Sequence, residues 1–135
     1  MTTMIDLKRV IDGEIEPPAC DKTLGIQVTS AVAGRAVCSW NVDERFLNGH
    51  QVVMGGFITS AADITMAYSM ATILERNRGF ASINLQTTFL RPLLIGTAII
   101  ESIIVKQGKK TCYVEASVSQ NGKYVAKITS SIMIL

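Results

Sequence analysis

The chain has 135 residues, 48% hydrophobic and 18% charged, which fits one folded domain with its own core and excludes a disordered polypeptide. Thirteen basic against eleven acidic residues leave a formal charge of +2, too little for the clustered basic face that nucleic-acid binding needs. A single histidine, His50, excludes a metal site built on two imidazoles, and three cysteines without a CxxC pair predict reduced thiols in a cytoplasm-like compartment.

Residues 1–20 read as a lead-in to a single domain over 1–135. They lack the apolar run of a signal peptide, and MIDLKRVI predicts a short amphipathic helix ended by Pro17 and Pro18. Residues 24–42 alternate as two strands, the first over about 25–31, with the turn at Gly34. In the second, Ala36, Cys38, Trp40 and Val42 share one face; Arg35, Val37, Ser39 and Asn41 share the other.

From Gly55 to about Asn77, Phe57, Ala61, Ile64, Ala67 or Tyr68, Ala71 and Leu74 recur at steps of three and four, and small or apolar residues fill the other faces. Such a helix belongs inside a fold. The low charge of 46–74 also suits a membrane span, but Asn48, Gln51, Asp63, the glycine pair and the strand-like chain that follows predict no membrane segment.

Strands are predicted over 80–90, 97–106, 111–120 and 123–134, with turns at Gln107-Gly108 and Asn121-Gly122. Cys112, Val114, Ala116 and Val118 form one face of the third of these. In the last, Tyr124, Ala126 and Ile128 oppose Lys123, Val125 and Lys127. The outline is α+β, an antiparallel sheet wrapped around one long buried helix.

Asp63 is the only charged side chain between Arg45 and Glu75. A carboxylate in an apolar helix needs partners or a raised pKa, and the residue type alone fits a structural network as well as a reactive group. Gly55 and Gly56 at the helix start let a substrate approach the backbone, where free N–H groups and the helix dipole favour a developing oxyanion; a simple tight turn is the alternative. His50 fits either a solvated loop side chain or a base.

The segment LNGHQVVMGGFITSAADITMAY, residues 47–68, resembles the signature of hot-dog-fold acyl-CoA thioesterases of the phenylacetate-degradation type. That pattern is an Asn, a short loop, a His-Gly-Gly and an Asp about nine residues after the His. PPACDKTLGIQV and FASINLQTTFLRPLLIGT resemble the family's lead-in and its Phe-Leu-Arg-Pro strand, so the likeness spans nearly the whole chain. It implies Asp63 as base or nucleophile, the Gly55 amide as oxyanion donor helped by Gly56, Asn48 steadying thioester or water, and Ser82 at an auxiliary Ser/Thr position. Two departures stand out: Met54 replaces the His, and Gln51 occupies a loop position often held by Gly.

The resemblance implies an acyl-CoA substrate, no separate cofactor, since coenzyme A belongs to the substrate, and a homodimer or homotetramer with its site between subunits. Met54, Gly56 and His50 would border the substrate, and Arg91, Lys109 and Lys110, with Arg78 and Lys106, are candidates for the coenzyme A phosphates. Two other readings stay open: a non-catalytic acyl-CoA or acyl-carrier binding module, and a dehydratase pairing His50 with Asp63.

Overall fold

The computed structural model describes residues 4–75 and 78–135. Helix α1 spans Leu7–Ile11, shorter than MIDLKRVI predicts, because the Asp6 side chain caps it by accepting from the Lys8 amide at 3.0 Å. It ends before Gly13 (φ 75°), not at the prolines. Pro18 instead opens a second helix, α2 (Ala19–Leu24), which stops at Gly25 in the left-handed conformation. Six residues without an apolar period gave no sign of α2.

Strands β1 (Ile26–Val32) and β2 (Arg35–Val42) form a hairpin whose turn residues, Ala33 and Gly34, both take positive φ. The β2 alternation holds: Ala36, Cys38, Trp40 and Val42 are buried. A 3-10 turn at Glu44–Phe46 leads into the loop before α3 (Gly55–Ile73). Most of the α3 surface is buried, and the less covered line runs through Gly56, Ser60, Asp63 and Ala67. The helix stops before the predicted end, with Leu74 extended as its cap; Asn77 itself lies outside the described residues. No basic residue occupies its last turn, and Lys8 from α1 reaches across to donate to the Leu74 carbonyl.

The predicted strand over 80–90 is two strands, β3 (Phe80–Ser82) and β4 (Gln86–Phe89), both antiparallel to β7 (Lys123–Ile134). Asn84 makes the break. Its Oδ1 accepts from the Ser131 amide at 3.0 Å, and its carbonyl accepts from the Ser130 hydroxyl at 2.7 Å, so a side chain replaces a ladder bond. Strands β5 (Gly96–Gln107) and β6 (Thr111–Gln120) complete an antiparallel sheet in the order β1-β2-β5-β6-β7-β3, with β4 beside β3 on the same edge of β7. Its inner face curls against α3.

The β6–β7 turn has Asn121 and Gly122 at φ 52° and 76°, the geometry that an Asn-Gly pair favours. One predicted face needs correction. A register shift pairs Val118 with Ala126 but Ser119 with Tyr124, so Val125 is an extra, buried residue and Tyr124 points outward, 52% exposed. Among the described residues, no helix is long and apolar enough to cross a membrane.

Candidate active site

Gly55, Thr59 and Asp63 follow one another at steps of four along α3 and therefore lie on one line of the helix. Facing them across a cleft are Phe89 and Thr87 of β4 and Ser82 of β3. The Thr59 and Thr87 hydroxyls hydrogen-bond at 2.7 Å, and Ser82 Oγ donates to Asp63 Oδ1 at 3.4 Å. A Cβ on Gly55 would stand 2.7 Å from Phe89 Cζ, so the helix begins with glycine where the ring lies against its backbone. Asp63 is half-buried, and that burial raises its carboxyl above the usual carboxylate range, partly offset by the Ser82 hydrogen bond.

The loop before α3 is closed by the Leu47–Val53 bridge. Asn48 Oδ1 accepts from the amides of His50 (2.9 Å) and Val52 (3.4 Å), so the side chain's carbonyl oxygen shapes the loop. Gln51 takes φ 62°, which explains why glycine suits that position. Val53 N–H to Leu93 O (3.0 Å) and Met54 N–H to Phe46 O (2.9 Å) dock the loop and aim the helix start. Among the described residues, the Gly55 and Gly56 amides meet no acceptor, as first-turn N–H groups of a helix often do not. Met54 is 46% exposed, and its Cε is 3.3 Å from where a Gly56 Cβ would be.

The structure brings Asp63 to Ser82, but it separates Asp63 from Gly55. Eight residues at a rise of about 1.5 Å put the two roughly 12 Å apart along one helix. His50 is exposed at the loop tip. The basic residues do not converge: Arg91, past the end of β4, donates to the Tyr124 carbonyl at 2.9 Å, and Arg78 donates to the Leu135 carbonyl at 2.7 Å. Lys106, Lys109 and Lys110 are exposed at the β5–β6 end.

Sequence reasoning missed Thr59 and Thr87, although a step of four from Gly55 to Asp63 passes through Thr59. It also missed Asp21, 2% exposed and more deeply buried than Asp63. Asp21 accepts hydrogen bonds from the Tyr68 hydroxyl and from Cys20 Sγ, and burial raises its carboxyl too. Cys38 is fully buried and its thiol is pushed up to about 12, which leaves it a core filler rather than a nucleophile.

A curled antiparallel sheet on one long helix, with a carboxylate at mid-helix and open amides at its start, is the hot-dog architecture. A phenylacetic acid degradation-related protein from Ralstonia eutropha JMP134 has the same fold, with a TM-score of 0.90 and 29% identity over 96% of this chain and 99% of that one. The thioesterase superfamily model matches residues 50–127. Acyl-coenzyme A thioesterase PaaI of Escherichia coli is 37% identical over 115 residues, 82% of this chain and 79% of that protein. Human acyl-coenzyme A thioesterase 13 is 26% identical over 94% of each chain. The chain belongs to the thioesterase superfamily.

Proposed function

We propose that this protein is an acyl-CoA thioesterase that hydrolyses the thioester with Asp63 and with the Gly55 amide of a second subunit. The observation that carries the reading is the hydrogen-bonded Asp63–Ser82 pair in a cleft whose helix begins with open glycine amides. A carboxylate made more basic by burial suits removal of a proton from water as that water attacks the thioester carbon. Ser82 fixes the orientation of the carboxylate. Negative charge then grows on the carbonyl oxygen, and a helix N-terminus with unpaired N–H groups stabilises it. The tetrahedral intermediate collapses to the carboxylic acid and the coenzyme A thiol.

One carbonyl group cannot touch both Asp63 and Gly55 of the same helix, given the roughly 12 Å between them. Two copies with antiparallel helices would bring each Asp63 to the other chain's Gly55, which supports a homodimer, or a homotetramer built from it. Among the described residues Asn48 Nδ2 meets no acceptor, and that group is left to steady the carbonyl or the water. Gly56, Met54 and His50 border this opening, while Arg91, Lys109 and Lys110 offer charge to coenzyme A phosphates.

Thiol release from a series of acyl-CoA esters tests the assignment: the wild-type chain should turn over and Asp63→Asn should not. Met54, at the position where the resembled signature has His, favours the second reading, a binding module. Tight acyl-CoA binding without turnover by the wild-type protein would select it. Solvent-oxygen label appearing in Asp63 during a single turnover would instead identify Asp63 as the attacking nucleophile.

A further inference from the structure

The Asp63 cleft has two directions, and they differ. Towards the helix start, the Thr59–Thr87 hydrogen bond spans it and the Phe89 ring closes it against Gly55. Towards the helix end, Ala67 and Ala71 continue the line from Asp63 at steps of four, while Phe80 shares the inner face of β3 with Ser82 two residues away. At Ala71 and Phe80 these two lines reach a cavity of about 560 Å³, lined also by Ile5, Leu7, Leu74 and Leu135. Two of the cations at its rim are tied down, Lys8 to the Leu74 carbonyl and Arg78 to the Leu135 carbonyl. The volume lies within the usual range for a small-molecule pocket.

We infer that this channel is the acyl-chain subsite: the tail of a straight-chain acyl-CoA passes from the Asp63–Ser82 pair over Ala67 and ends against α1. The inference deepens the thioesterase reading and rests on it. Ala67 and Ala71 are the residues that keep the channel open, because each presents only a methyl group to the cleft. From Asp63 to Ala71 is about 12 Å along the helix. With carbon–carbon bonds of about 1.5 Å, an extended chain advances roughly 1.25 Å per carbon, so about ten carbons reach the cavity. Short and bulky aryl groups leave the far end empty.

The test is kcat/KM for straight-chain esters from acetyl-CoA to palmitoyl-CoA, together with equilibrium binding of the same series to the Asp63→Asn protein. Each methylene buried should raise kcat/KM about fourfold, and the gain should continue past about ten carbons as the tail enters the cavity, stopping once it is filled. Ala71→Leu narrows the entrance to the cavity and should lower the decanoyl-to-butyryl ratio at least tenfold. Phe80→Ala lengthens it and should move the optimum to longer chains, which keeps the test open if the leucine variant does not fold. A flat chain-length series, or the same series in either folded variant, overturns the subsite. Binding that strengthens with chain length, and weakens in Ala71→Leu, without any turnover would sustain the subsite and overturn the catalytic reading instead.

Discussion

Asp63 and Asp21 are both carboxylates that burial makes harder to ionise, yet their surroundings assign them different work. Asp63 faces an open cleft with one weak donor, whereas Asp21 is sealed in and bonded to Tyr68 and Cys20. Asp63→Asn should fold and lose at least about 10²-fold in kcat, the usual scale for a general base. Its stability should also report the buried charge. Because the folded pKa is raised above the unfolded value, the wild-type carboxyl contributes its stability below the ordinary Asp pKa of about 3.9 and loses it as pH rises through the folded value. The melting temperature of wild type minus that of the Asn variant should therefore fall with rising pH and then level off; a difference that rises with pH would contradict the desolvation account. At Asp21 the expected result is structural. Tyr68→Phe removes the donor of a buried acceptor and should cost about 1–3 kcal/mol in urea unfolding. The sequence could single out Asp63, because no other charge shares its segment. It could not single out Asp21, which sits between Cys20 and Lys22 in a stretch of ordinary polarity and meets its buried partner in the distant Tyr68.

The elements that were legible are those whose own residues determine them. Helix α3 shows its period, β2 and β6 show their alternation, and Asn121-Gly122 marks its turn. The unreadable features depend on a partner elsewhere: the β3–β4 break needs Ser130 and Ser131 beside Asn84, and the buried Val125 arises from the β6 register. At the site, the glycine pair was visible but the reason for it was not, since Phe89 lies 34 positions away in sequence from Gly55. The start of α3 also gives a clean way to delete one donor. Gly55 is the first helical residue, where proline is tolerated, and Met54 before it has φ −62° and ψ 134°, a conformation that a following proline accepts. The Phe89 ring is 52% exposed and free to swing aside. Gly55→Pro should keep its circular dichroism and lose about 10²–10³ in kcat through the missing N–H. Near-normal turnover in the folded variant would remove Gly55 from the chemistry.

At the scale of the whole molecule, the spacing of Gly55 and Asp63 on one helix sets the strongest constraint. If each site takes its carboxylate from one chain and its amide donor from another, the two variants above complement each other. A dimer of one Asp63→Asn chain and one Gly55→Pro chain has one site with both defects. Its other site joins the intact Asp63 of the proline chain to the intact Gly55 of the asparagine chain. Unfolding and refolding an equal mixture should place about half the chains in such mixed dimers by random pairing, and so restore about one quarter of the wild-type sites. Neither variant refolded alone should gain activity, and the recovery should fall as the ratio departs from equality. Sedimentation should show a dimer or larger throughout. A mixture no more active than the sum of its separate components would mean that each site lies within a single chain. The Gly55 amide would then be too far from Asp63 to hold the oxyanion, and the donor would have to be sought among groups nearer Ser82.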